Sequence, residues 1–159
     1  LIITGNYGKS RLLAELVQRK TGQPILLVSR GSGGGDSLYF LPKGEDAMAL
    51  GNDKFVEFVD FVQPGRIVFV GDDSYIPASF VDALRDRFPV LVVKSEDWVQ
   101  NAEAMGGIMN YKKLPEHYSE YLVQLEASAS GRAVPSGATA QSAIVEPAIY
   151  PIVAPAAGR

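Results

Sequence analysis

The sequence predicts an α/β fold: a three-layer sandwich around a mainly parallel sheet, followed by an extended Ala/Pro-rich C-terminal arm. Three observations lead there. Short runs of apolar, often β-branched residues alternate with segments of helical period as far as residue 126, as in successive strand–helix–strand units. One of those runs, Ile67–Val70, is β-branched and continuous rather than alternating, as expected of a strand buried on both faces. From residue 127 to 159, Ala, Ser, Gly and Pro dominate and no amphipathic period remains.

The elements follow in order. Residues 1–4 read as a strand and residues 9–20 as a helix with Leu12, Leu13, Leu16 and Val17 apolar, stopped at Thr21-Gly22. Residues 24–28 are a second buried strand, and residues 29–36 a glycine-rich loop carrying Arg30. A short apolar stretch at Ser37–Leu41 runs into the turn residues Pro42-Lys43-Gly44. Residues 53–62 form a helix through Phe55, Val56, Phe58, Val59 and Val62, closed by Pro64-Gly65. After the strand Ile67–Val70, Pro77 opens a helix bearing Phe80, Val81, Leu84 and Phe88, and Pro89 ends it. The strand Val90–Val93 follows, and then helical segments at 98–109 and 116–126. Residues 1–126 are therefore expected to be the domain and 127–159 the arm. The apolar clusters Ala143-Ile144-Val145 and Ile149-Tyr150-Pro151-Ile152-Val153 would dock that arm on a neighbouring subunit, in a homo- or hetero-oligomer, or on its own domain.

Composition narrows the function classes. A chain of 159 residues, 47% hydrophobic, has enough apolar surface for a full core. A net charge of −3 gives no general attraction to nucleic acid or to anionic membrane. The absence of cysteine removes disulfides, thiolate metal sites and thiol nucleophiles, and fits a reducing, cytoplasmic setting. No apolar run approaches the roughly 18 residues of a membrane span. The single His117 cannot build a histidine metal cluster.

The chemistry is concentrated where the first strand meets the first helix, at Gly5-Asn6-Tyr7-Gly8-Lys9-Ser10. Glycines let backbone N–H groups close around phosphate oxygens, and a helix N-terminus adds partial positive charge. At that spacing Lys9 would reach the β- and γ-phosphates of a nucleotide, and the Ser10 hydroxyl would ligate Mg²⁺. The bland alternative is a plain strand–turn–helix whose Gly8-Lys9-Ser10 merely starts a helix. A second acidic constellation, Gly71-Asp72-Asp73, closes the strand Ile67–Val70; its bland reading is turn formation ahead of Pro77. The four glycines of 29–36 read more readily as a surface linker than as a ligand cradle. Arg85 and Arg87, which could serve as arginine fingers, read as a solvated helix face.

Residues 4–10 lack the first glycine of the strict phosphate-loop pattern, which would fall at Ile3, and resemble the variant T-G-x-x-G-K-[ST] loop of the Mur-ligase and folylpolyglutamate-synthetase families. The strand ending in Asp72-Asp73 resembles the Walker B element of P-loop NTPases. That resemblance implies Mg²⁺ with ATP (or GTP) as cofactor, Asp72 holding the metal, Asp73 orienting the attacking water and Lys9 stabilising the transferred phosphate. The expected function is thus a Mg-ATP-binding P-loop NTPase domain, an ATPase subunit of a larger assembly. A weaker resemblance links residues 55–111 to the final part of actin-like ATPase domains, through residues 67–71, the helix at residues 80–88, Val90–Val93 and Asn101-Ala102-Glu103-Ala104-Met105-Gly106-Gly107. There Gly71-Asp72 departs from the family's Gly-Gly turn. A third alternative is a structural or assembly subunit that keeps a nucleotide-binding-like fold and catalyses nothing.

Overall fold

The computed structural model describes residues 1–31 and 35–130. Six strands form one sheet: β1 (Ile2–Gly5), β2 (Ile25–Ser29), β3 (Ser37–Leu41), β4 (Met48–Leu50), β5 (Ile67–Val70) and β6 (Val90–Val93). Five helices connect or flank them: α1 (Gly8–Thr21), α2 (Phe55–Val62), α3 (Ala78–Arg85), α4 (Trp98–Ile108) and α5 (Leu114–Ala129). The strand order is β4-β3-β2-β1-β5-β6. β2, β1, β5 and β6 are mutually parallel, with Ile2 opposite both Ile25 and Val68, and Ile67 opposite Val90. β3 and β4 add antiparallel, Leu27 pairing with Tyr39 and Tyr39 with Ala49.

Alternation of side chains across the strands divides the core into two layers. Ile2, Ile25, Leu27, Val68 and Val70 lie with Leu13, Val17, Trp98, Met105, Leu114 and Tyr118, so α1, α4 and α5 cover that face. Leu1, Ile3, Leu26, Val28, Ile67 and Phe69 lie with Phe55, Val59, Phe80 and Leu84, so α2 and α3 cover the other. Every residue of β1 and β5 is buried, which is why both read as apolar runs rather than alternating strands. Each fully buried Ile, Leu or Phe contributes about 1.5–3 kcal/mol relative to remaining exposed.

Three details go beyond the sequence reading. The stretch Ser37–Leu41 is a strand, and Met48–Leu50 pairs with it as an unforeseen hairpin partner. The hairpin is antiparallel, so no crossover helix precedes it. Val90–Val93 is not buried on both faces. As the edge strand it leaves Leu91 39% and Val92 47% exposed. Helix α5 spans Leu114–Ala129. The remainder of the anticipated arm, with both of its apolar clusters, lies outside the described residues.

The topology fixes one special place. From β1 the chain leaves to one face of the sheet through α1, whereas from β5 it leaves to the other face through α3. The strand order therefore reverses between β1 and β5, the switch point beyond whose carboxyl ends sheets of this kind form their ligand crevice. Both sequence-predicted constellations, residues 5–10 and Asp72-Asp73, follow these two adjacent strands.

Candidate functional site

At the end of β1 only Asn6 and Tyr7 separate the strand from α1, which begins at Gly8. The chain is held by the Asn6 N–H donating to the Val28 carbonyl (2.8 Å) and by Asn6 Nδ2 donating to Ser29 Oγ (3.0 Å). Tyr7 occupies the N-cap position in extended conformation and supplies no side-chain cap; the first turn of α1 carries no acidic residue. A 14-residue helix thus points its uncapped, partially positive end toward the crevice, with Lys9 in the same turn.

The other side chains turn inward. Ser10 is fully buried, and its hydroxyl lies 2.6 Å from the Gly5 carbonyl and 3.0 Å from that of Tyr7, donating within the loop. Lys9 Nζ forms an ion pair with Glu126 of α5 at 2.9 Å, and the Lys9 carbonyl accepts from the Tyr118 hydroxyl at 3.2 Å. A β-carbon on Gly8 would sit 3.3 Å from Leu125 of α5. Helix α5 therefore leans across the start of α1.

The space the glycines leave is filled by tyrosines. A β-carbon on Gly5 would come within 2.8 Å of both the Tyr7 and Tyr75 rings, and one on Gly71 within 2.9 Å of the Tyr75 side chain. Gly71 also has φ +121°, a backbone conformation that L side chains rarely adopt. Tyr7 and Tyr75 meet edge to face at 5.5 Å, and Tyr75 meets Trp98 at 4.9 Å, with Trp98 Nε1 donating to the Tyr75 hydroxyl at 3.3 Å. Arg30 spans the mouth. Its N–H donates to the Tyr7 hydroxyl (3.2 Å), its guanidinium to the Asp73 carbonyl (2.6 Å), and it pairs with Asp36 at 3.1 Å.

Asp72 and Asp73 follow β5 in a tight turn. The Asp72 carboxylate accepts from the Ser74 N–H at 2.9 Å and from the Ser74 hydroxyl, and these bonds, the hydroxyl's foremost, hold its pKa below the ordinary carboxylate value. Asp73 is exposed. Among the described residues no group of three or more His, Asp or Glu side chains converges as a metal site. Ser10 and Asp72, the residues expected to hold Mg²⁺, are each bonded to their own turn. A bound ion would have to draw the Ser10 hydroxyl out of its bonds to Gly5 and Tyr7. In this arrangement the pair does not form a ligand set.

The structure thus brings the two sequence motifs to one crevice and surrounds them with residues that the sequence did not flag: Tyr75, Leu125 and Glu126. Their contacts join segments far apart in the chain, so no local pattern announces them. Asn101, from the segment with actin-like resemblance, is fully buried on α4. Its Nδ2 donates to the Ser95 carbonyl at 3.0 Å, while its Oδ1 has no partner among the described residues. No helix among those residues is long and apolar enough to cross a membrane. No protein family, curated protein or solved structure matches the chain.

Proposed function

We propose that this chain is a nucleotide-binding domain that takes Mg-ATP or Mg-GTP with its phosphates at the start of α1, and that it works as an ATPase subunit of a larger assembly. One observation carries the reading. An uncapped helix N-terminus with Lys9 in its first turn faces the crevice where the strand order reverses, beside the acidic turn of Asp72 and Asp73. Backbone N–H groups and Lys9 would meet the phosphates. Asp73, exposed and next to that turn, would orient the attacking water.

Binding by this route is coupled to opening. Lys9 has to leave Glu126, and Tyr7 has to swing off Gly5, before phosphates can approach the loop backbone. These same contacts favour a second reading, a structural subunit whose nucleotide-like crevice is sealed by its own side chains. Thermal unfolding with Mg-ATP, Mg-GTP and no nucleotide separates the two. A nucleotide at 100 times its dissociation constant stabilises the folded state by about 2.7 kcal/mol, a shift of several degrees in Tm. An unchanged Tm with both nucleotides rejects the first reading and leaves the second.

A further inference from the structure

A second concave site lies at the opposite end of α1, where its last turn meets the α4–α5 connection. A shallow depression, widely open to solvent, is lined by Lys20, Asn110, Tyr111, Lys112, Lys113 and His117. Its wall is set by backbone geometry. Helix α4 ends with Asn110 in the left-handed region (φ 52°), the Tyr111 N–H donating to the Gly106 carbonyl at 2.8 Å and the Asn110 N–H to that of Gly107. A side chain at Gly106 would collide with the Tyr111 carbonyl at 2.9 Å, so the turn depends on that glycine. Tyr111 is then fixed by a 2.5 Å hydrogen bond between its hydroxyl and His117 Nδ1.

The charges here are unusual in two respects. Lys20, Lys112 and Lys113 are exposed, and none makes an ion pair or an ammonium hydrogen bond among the described residues. The Lys20 ammonium lies 6.0 Å from the centre of the Tyr111 ring. Arg19 and Lys20 fall in the last turn of α1, where the helix dipole favours cations. Lys112 and Lys113 do not share that excuse. Lys113 is the N-cap of the 16-residue α5, with Lys112 just before it, at the end where the dipole disfavours positive charge; the sole acidic residue of that first turn is Glu116. Three lysines and His117 line one depression beside the N-terminus of α5, and no acidic residue is in that lining.

We infer that this depression binds a small ligand bearing phosphate groups, held by Lys20, Lys112 and Lys113 against the Tyr111–His117 wall. The cluster of cations with no acidic residue in the lining suits a compact anionic group held from one side. A long polyanion is disfavoured, because beyond the depression it would meet a chain of net charge −3. The site is separate from the crevice beyond β1 and β5 and does not rest on nucleotide binding there.

The test uses the full chain and inorganic pyrophosphate as probe, with calorimetric titration and amide chemical-shift mapping. Lys9→Ala, which removes the phosphate-facing lysine of the α1 start, should still bind pyrophosphate with shifts centred on residues 19–20 and 110–117, whatever the wild type also binds at the start of α1. The double variant Lys112→Gln/Lys113→Gln, on exposed positions and of unchanged Tm, should lose at least tenfold in affinity. Absence of binding, or binding that Lys9→Ala removes and the double variant keeps, overturns the proposal. So does a single-stranded oligonucleotide that binds through these lysines while pyrophosphate does not, since that would make the face a nucleic-acid surface.

Discussion

Lys9 Nζ and Glu126 Oε1 stand 2.9 Å apart, so a carboxylate from the last turns of α5 occupies the lysine expected to meet phosphate. Both side chains are about half exposed, and an ion pair of this kind contributes only about 0–1 kcal/mol to stability. Its weight is in competition. Glu126→Gln should leave Tm within about a degree and raise nucleotide affinity several-fold, because it removes both a rival for Lys9 and a charge repelling phosphate. Parallel titrations of wild type and variant check this, and weaker binding in the variant would contradict it.

The turn after β5 makes a sharper structural prediction. Gly71→Ala places a side chain at φ +121° and within 2.9 Å of Tyr75. The substitution should destabilise by about 1–3 kcal/mol in urea unfolding and should loosen the Tyr7–Tyr75–Trp98 stack, seen as a change in Trp98 fluorescence. Gly65→Ala is the control, because nothing lies within 4 Å of its β-carbon.

Catalysis, on the proposed reading, depends on the same turn. Asp73→Asn should lower kcat by about 100-fold or more while changing KM little, since water orientation matters in the transition state. Asp72→Asn should act on the turn itself. The Ser74 bonds hold the Asp72 carboxyl below its ordinary pKa, so their contribution is present above the unfolded-state value and is lost as pH falls through the folded-state value. The wild-type stability advantage over Asp72→Asn should therefore shrink in acid, as read from Tm against pH.

Tyr118 gives a test at the alkaline end. Burial, with smaller contributions from Tyr75 and Glu126, pushes its phenol well above the ordinary value. Below about pH 10 the phenol is neutral in both folded and unfolded chains, and this contribution to stability is intact. Above it the unfolded chain releases a proton that the folded chain retains, so stability falls as pH rises toward the folded-state pKa. Tyr118→Phe should flatten that alkaline decline. At neutral pH it should cost about 1 kcal/mol for the lost bond to the Lys9 carbonyl.

The parallel core was legible because strands such as Ile67–Val70 are buried on both faces and leave uninterrupted apolar runs. The helix through Leu13, Leu16 and Val17 and its stop at Gly22, where φ is +75°, were legible from periodicity and from glycine. The hairpin Met48–Leu50 was not, because a three-residue edge strand with two exposed residues carries too little pattern. The same limit applied to the candidate site. Gly5, Lys9 and Asp72 could be singled out from local motifs, but the closure of the loop by Tyr75, Leu125 and Glu126 depends on packing between residues up to 117 positions apart. Glycine permits close approach of whatever comes; here the sequence could not tell a phosphate from a tyrosine ring.

Calorimetric titration of Mg-ATP and Mg-GTP into the wild type and Lys9→Ala tests the central claim most directly. The account predicts a saturable one-site isotherm with at least one nucleotide in the wild type. It also predicts loss of that binding in Lys9→Ala, whose Tm should match the wild type within about 2 °C because an exposed ion pair is all that is removed. Equal affinity in the two proteins, or no heat of binding in the wild type with either nucleotide, would contradict it.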